Sequence, residues 1–339
     1  MPASRRHIPE PSRILLVSLD NVGDLVFASA LTPALRERFP DARLDIWCKA
    51  YAADVAHLIP GVSLVIASDP YWDRAPGSRK GSRITFLRAL RELRRNRYDL
   101  AVLASSQWRV AASLALVRVP HRVGRRRKRN ERWLTHLLPE ENRTRPVVAE
   151  LGGIAFALGA TPRDRYRLDA TLLEPQRGSF ARSVGAGPRV ALHAFAGSRA
   201  RCVPLAEWRA VADTLVRRGV GVLWIGSPAE LADVRAAGAS PEWHFADAVG
   251  NGSLRDAAAL ISLCDAFIGH DSGPMHVAAA LSVPVLGIFA PGEPERTFPQ
   301  GPGPSRVVAR PSPAGITADV ILRELDLLGP LEARSGVHR

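Results

Sequence analysis

Cysteine is scarce in this chain: its 339 residues include only Cys48, Cys202 and Cys264, with no CxxC pair among them. An odd, scattered set excludes a disulfide framework and a cysteine-built zinc cluster, and it fits a reducing compartment. Long apolar runs are missing too. The best stretch, 111–117, is flanked by Arg109 and Arg118 and falls far short of the ~18 residues that a membrane helix needs. No secretory leader is expected, since Arg5, Arg6 and His7 run into Pro9 and Pro11 rather than an apolar segment. Neither GxGxxG nor GxxxxGK[ST] occurs at a strand–helix junction, so nicotinamide dehydrogenases and P-loop enzymes lose their defining loop. Ser272 lacks a GxSxG elbow, which argues against a serine hydrolase. Lysine is nearly absent, at three of the 46 basic residues. Anion recognition therefore falls to arginine, whose planar fork meets phosphate and carboxylate bidentately.

What is present describes a folded protein of more than one domain. Hydrophobic residues make up 46% and charged residues 23%, an ordinary globular balance, and the length exceeds that of most single domains. The net charge of +13 is unevenly placed. Residues 1–187 carry 32 Lys and Arg against 18 Asp and Glu, whereas residues 188–339 carry 14 against 15. The cationic half is expected to face a polyanion: nucleic acid, an anionic membrane or a phosphorylated substrate.

Strands alternate with helices in both halves, the pattern of βαβ units and parallel sheets. In the first half, strands are predicted at 13–19, 44–48, 63–67 and 99–104. Helices are predicted from Asp24 toward Phe39, at 84–97 and at 147–158. The basic run 121–129 reads as a solvated loop, and 160–188, with Thr161-Pro162, Glu174-Pro175 and Gly185-Ala-Gly-Pro188, as a linker. The pattern restarts with strands at 189–193, 220–225, 266–269 and 283–289. Helices there are predicted at 205–218, 229–237, 254–263, 275–281 and 316–328. The expected domains are 1–170 and 171–339.

Three turns carry candidate chemistry. Gly269-His-Asp-Ser-Gly-Pro-Met-His276 lies between a strand and a small-residue helix. Asp271 or Ser272 suits the N-cap and Pro274 the first turn, and Gly273 admits a ligand to a helix start that favours anions. A second turn, His193-Ala-Phe-Ala-Gly-Ser-Arg-Ala-Arg201, offers Gly197, Ser198 and two arginines to a diphosphate. Glu230 follows the next strand, where an acid grips ribose hydroxyls in nucleotide-binding folds. In the first half, Asp24 stands at the mouth of the first strand as a candidate general base or as a plain helix-cap carboxylate. His270, Asp271 and His276 match no common zinc spacing. Trp47, Trp72, Trp108 and Trp133 read as core or wall residues rather than a base-stacking platform. Arg79, Lys80, Arg83, Arg122, Arg125, Arg126 and Arg127 form a candidate phosphate-gripping set.

The Asp271–His276 block resembles the ADP-heptose–lipopolysaccharide heptosyltransferases, as do Ala278–Pro284, Pro291-Gly-Glu-Pro294, Val22-Gly-Asp24, Leu31-Thr-Pro-Ala-Leu-Arg36, Arg201–Trp208 and Gly250-Asn-Gly-Ser-Leu254. The resemblance implies the GT-B fold, an α/β architecture of two Rossmann-like domains with parallel sheets facing across a cleft. It implies an inverting glycosyltransferase, without metal or other cofactor, that moves heptose from ADP-heptose to a lipopolysaccharide inner-core acceptor. In that reading Asp24 is the catalytic base. Gly197, Ser198, Arg201, Glu230, Gly252, Leu254, Asp271, Ser272, Gly273 and His276 bind the donor, while the arginine set binds the anionic glycolipid. The implied setting is the cytoplasm, peripheral to the inner leaflet, with no nucleic-acid partner. Arg201 replaces the usual lysine, Val203 a common tryptophan, and Phe195 stands in a turn usually richer in glycine. The alternatives are another nucleotide sugar serving O-antigen or other glycan synthesis, and a non-catalytic nucleotide or nucleic-acid binder.

Overall fold

The computed structural model describes residues 8–73, 81–250, 252–329 and 331. The chain forms two compact units, Met1–Tyr166 and Arg167–Arg339. The first contains β1 (Arg13–Ser18), α1 (Val22–Ala28), α2 (Leu31–Arg38), β2 (Arg43–Cys48), α3 (Ala53–Ala56), β3 (Leu64–Ala67), α4 (Arg83–Asn96), β4 (Leu100–Leu103), α5 (Trp108–Leu116), β5 (His121–Arg125), β6 (His136–Leu138) and α6 (Val147–Ala157). The second contains α7 (Glu174–Phe180), β7 (Arg189–His193), α8 (Leu205–Arg217), β8 (Gly221–Trp224), α9 (Pro228–Ala236), β9 (Trp243–Phe245), α10 (Ala246–Val249), α11 (Leu254–Ser262), β10 (Ala266–His270), α12 (Gly273–Ala280), β11 (Val285–Phe289), α13 (Pro294–Thr297), β12 (Ser305–Ala309) and α14 (Ala318–Asp326).

Each unit holds a six-stranded parallel sheet, ordered β3-β2-β1-β4-β5-β6 in the first and β12-β11-β10-β7-β8-β9 in the second. Counted from its own first strand, each follows the doubly wound order 3-2-1-4-5-6. The order reverses between β1 and β4 in one unit and between β7 and β10 in the other. In such sheets the loops leaving the two strands diverge at this point and open a crevice for ligand. The central strands are continuous apolar runs because helices cover both faces: Ile14 to Val17, Leu100 to Leu103 and Ala266 to Ile268 are all buried.

Three expectations are corrected. The helix expected from Asp24 to Phe39 is two helices. Pro33 has no N–H, and its ring would meet the carbonyl of Ser29 in an unbroken helix. Ser29 therefore folds its hydroxyl onto the Val26 carbonyl (2.6 Å), and its own carbonyl accepts Thr32 Oγ1 (2.9 Å). The basic run is not a free loop, because its first five residues are β5, paired with β4 and β6. Val123 and Gly124 face the interior, and a side chain at 124 would lie 3.3 Å from Leu103 Cβ. Nor is 160–188 an open linker. Tyr166 is fully buried with its ring edge-on to Phe27, Leu168 donates its N–H to the Ala280 carbonyl, and Pro175 sits in the first turn of α7, where a missing N–H costs nothing. The short strands β6, β9 and β12 were not expected.

Candidate functional site

In the second unit the crevice is built by the ends of β7 and β10, where Gly269 lies beside His193. α12 begins two residues beyond β10 and is buried along its length; Met275 seats against the sheet where Gly287 leaves room for its sulfur. Ser272 stands at the N-cap in extended conformation, but no side chain caps the helix. Its hydroxyl turns back instead, donating to the His270 carbonyl at 3.0 Å and lying 3.2 Å from His193 Nδ1. The helix start is left open to an anion.

Asp271 gathers the surrounding charges. Its Oδ2 accepts from Arg201 at 3.0 Å, and its Oδ1 lies 3.6 Å from His276 Nε2, on a histidine almost fully buried in the first turn of α12. Burial opposes ionisation of Asp271, but His276 and Arg201 outweigh it and hold the carboxyl below the usual carboxylate range. Arg201 also donates through Nε to the Pro291 carbonyl (3.0 Å), which fixes the plane of its guanidinium. Two histidines outside the expected set complete the crevice. His270 Nε2 accepts the Val203 N–H at 3.1 Å, and the ring also bonds the backbone of Ile288. Burial pushes its pKa down to about 4, so it is neutral at pH 7. His193 is likewise lowered by burial, against the opposing charge of Glu230. Neither carried a spacing signal, because His193 reads as the last residue of a strand and His270 as the residue just after one.

The remaining donor candidates are placed as follows. Gly197 and Ser198 are exposed in a loop that ends in a short 3₁₀ turn, Arg199–Arg201, rather than running straight into α8. Glu230 is half-buried, and its Oε2 accepts from the N–H (2.8 Å) and hydroxyl (2.9 Å) of Ser227, closing a capping box at the start of α9. Gly252 has φ of +73°, with no atom within 4 Å of where a Cβ would stand, and Leu254 opens α11 behind its cap Ser253. The structure thus brings Arg201, Asp271, Ser272, Gly273 and His276 into one cluster at the switch point.

In the first unit Asp24 occupies the third position of α1, and its Oδ2 accepts the Asn21 N–H at 3.0 Å. It is both a capping carboxylate and a candidate base. The side chain reaches solvent but is crowded by protein, and this crowding, helped by the charge of Asp20, pushes the carboxyl up to about 6. Lys49 lowers it to a smaller extent.

Asp20 also lines a cavity of about 360 Å³ with Trp72, Trp108, Arg109, Arg127 and Lys128, walled further by Ser106 and Gln107. The cavity lies at this sheet's own switch point, beyond β1 and β4. Gln107 donates to Asp20 (3.0 Å) and accepts from Trp72 Nε1 (3.2 Å); Arg127 donates to Ser106 Oγ (2.8 Å). The guanidinium of Arg109 lies 4.8 Å from the Trp108 ring centroid and 5.8 Å from that of Trp72. Aromatic faces beside cations suit a sugar carrying negative charge.

Of the basic candidates among the described residues, Arg127 alone lines this cavity. Arg122 donates Nε to the Trp133 carbonyl at 2.6 Å and Nη1 to the Val119 carbonyl, and Arg125 pairs with buried Glu150 at 3.1 Å. Both are consumed inside the unit, which corrects the expectation of a free phosphate-gripping loop: in a strand, side chains that cannot reach solvent must find internal partners. Arg126 is exposed beside Glu131 (3.7 Å), and Arg83 lies over the Tyr71 ring at the start of α4. Arg79 and Lys80 lie outside the described residues. Among the described residues no three His, Cys, Asp or Glu side chains gather as a metal cluster.

Two doubly wound units with an anion-receptive crevice at the switch point of one are the GT-B fold. The chain belongs to glycosyltransferase family 9 (heptosyltransferase), whose model matches residues 86–313. Lipooligosaccharide heptosyltransferase 2 of Haemophilus ducreyi is 24% identical over 309 residues, covering 85% of this chain and 86% of that protein. Among solved structures, the glycosyl transferase family 9 protein from Veillonella parvula superposes with a TM-score of 0.82 at 18% identity, over 96% of this chain and 99% of that one. The ADP-heptose lipopolysaccharide heptosyltransferase II of E. coli superposes with a TM-score of 0.77 at 23% identity, over 93% and 98%.

Proposed function

We propose that the protein transfers heptose from ADP-heptose to an anionic inner-core lipopolysaccharide acceptor, with inversion at the anomeric carbon. The observation that carries this reading is the cluster at α12: an uncapped helix start, Arg201 fixed by two partners, and Asp271 set beside His276. These groups suit the diphosphate and sugar of a nucleotide-sugar donor. Family membership and the ADP-heptose specificity in the name of the E. coli relative support the choice of donor. Glu230 is assigned to the ribose hydroxyls, Gly252 and Leu254 to the adenine edge, and Gly197 and Ser198 to the diphosphate loop.

In the proposed reaction Asp24 takes the proton of the acceptor hydroxyl, whose oxygen attacks the anomeric carbon as the bond to ADP breaks. Arg201 and the amides at Ser272–Gly273 stabilise the charge gathering on the diphosphate, the kind of electrostatic contribution that usually dominates such steps. In this reading the charge of the leaving group is carried by these groups. The cavity of Trp72, Trp108, Arg109, Arg127 and Lys128 is assigned to the acceptor's anionic sugar, and Arg122 and Arg125 leave the arginine set expected from sequence. Such an acceptor is a lipid, and the enzyme would meet it at the inner face of the cytoplasmic membrane. Isothermal titration with ADP-heptose and with UDP- and GDP-sugars tests the reading. Selective binding of ADP-heptose is expected; preference for a UDP- or GDP-sugar would instead favour the reading of another glycan pathway.

A further inference from the structure

α4 begins with a regular cap, Ser82 accepting the Ile84 N–H, and buries Phe86, Ala89, Leu90 and Leu93 against the sheet. The opposite side of the helix is unusual. Ile84 is 63% exposed and Leu87 50% exposed, and successive residues rotate by ~100°, so both fall on the same outward arc as Arg88, Arg91, Arg94 and Arg95. Tyr71, 40% exposed, extends the apolar part of this arc under Arg83. Among the described residues none of Arg88, Arg91, Arg94 and Arg95 forms an ion pair, and the only carboxylate on the helix, Glu92, lies at the edge of the arc. Single exposed aliphatics are ordinary on a protein surface. Two of them one turn apart, on an arc that continues into four arginines without an ion pair, are not explained by solvation alone.

We infer that this face of α4 docks the protein onto an anionic phospholipid surface, with Ile84, Leu87 and Tyr71 entering the headgroup layer and the arginines contacting lipid phosphates. A basic helix with exposed aliphatics in its first turns and arginines further along the same arc has the chemistry of an interfacial membrane contact, in which apolar burial and headgroup attraction add. A nucleic acid would draw on the arginines but leave the aliphatics without a role, since single strands are held by stacked aromatic side chains. The inference deepens the membrane part of the proposed function and rests on that reading for its purpose, although the surface itself is tested without sugar transfer.

The test is flotation of the full chain with vesicles of phosphatidylglycerol mixed with phosphatidylcholine, and with phosphatidylcholine alone. Binding to the first and not the second is expected. Each arginine near an anionic surface contributes about fivefold, so Arg91→Gln/Arg94→Gln/Arg95→Gln lowers the partition coefficient on the order of 100-fold. Ile84→Ser/Leu87→Ser is expected to lower it about tenfold. All five positions are exposed, so both variants should keep the wild-type circular dichroism spectrum and Tm. ADP release with a water-soluble core oligosaccharide as acceptor should stay within about twofold. Failure of the wild type to bind the anionic vesicles would overturn the proposal. So would equal binding by the variants, or loss of activity toward the soluble acceptor in step with vesicle binding. Full retention of binding by Ile84→Ser/Leu87→Ser, with duplex DNA held as well as vesicles, would identify a general polyanion site instead. If the wild type binds vesicles but takes no ADP-heptose, the functional reading fails and the docking surface stands.

Discussion

If Asp24 is the base, transfer must follow its ionisation, and the structure places that ionisation well above the range of an ordinary aspartate. Crowding and the neighbouring charge of Asp20 raise the carboxyl to about 6. A base must be deprotonated to act, so kcat/KM for the acceptor should rise with pH through this value. Between pH 7 and pH 5 the ionised fraction falls roughly tenfold, whereas a carboxylate at the ordinary value would lose less than about a tenth. The assay is ADP release from ADP-heptose with a soluble core acceptor, measured across pH and referred to the acceptor's kcat/KM. Asp24→Asn should reduce turnover by about 10²- to 10⁴-fold while leaving donor affinity by titration unchanged. Asparagine can still accept the Asn21 N–H, and it removes a charge that the folded protein disfavours. The variant's Tm at pH 7 should therefore not fall. Asp20→Asn should move the acid limb to lower pH. A limb at the ordinary aspartate value, or near-normal turnover in Asp24→Asn, would refute the assignment.

Other perturbations separate the roles of neighbouring groups. Arg201→Gln removes a charge-assisted contact of about 1.5–3 kcal/mol, so donor affinity by titration should fall roughly 10- to 100-fold, and Arg201→Lys should recover only part of it. Arg125→Ala should cost about 3 kcal/mol in chemical denaturation because it strips a partner from buried Glu150. Its acceptor KM should stay unchanged; a raised KM at full stability would return Arg125 to the binding set. His270, buried neutral, titrates near 4 rather than at its ordinary 6.5. The stability it contributes is therefore complete above pH 6.5 and is lost as pH falls toward 4, by roughly 3 kcal/mol. His270→Gln should flatten that part of the stability–pH curve.

The parallel sheets were readable because a strand covered on both faces must be apolar throughout: β7 was placed to the residue, and β10 and β11 to within two. The short strands escaped for the converse reason. β6 and β12 lie at sheet edges with half-buried side chains, and β5 carries two arginines, one bonded to the Trp133 carbonyl and the other paired with Glu150, partners that the sequence does not announce. The α1–α2 break was visible in Pro33 but was outvoted by a helical apolar pattern on either side. At the site, Asp271, Ser272, Gly273 and His276 were legible because one turn contains them all. Asp20, Lys49, His193 and His270 were not, since each gains its meaning from neighbours distant in sequence.

Sequence alone determined two alternating α/β halves, the cationic bias of the first and the helix start at 272–273, all of which follow from local composition and turn chemistry. Tertiary structure decided the strand order, and with it the crevice at each switch point. It paired Arg201 with Asp271 across 70 residues, set Ser272 against His193 across 79, and gave Arg122 and Arg125 of the arginine run partners inside the unit. Hydrophobic periodicity reports which face of an element is buried. It carries no record of which strand will lie beside it, and charges find their partners only after that choice is made.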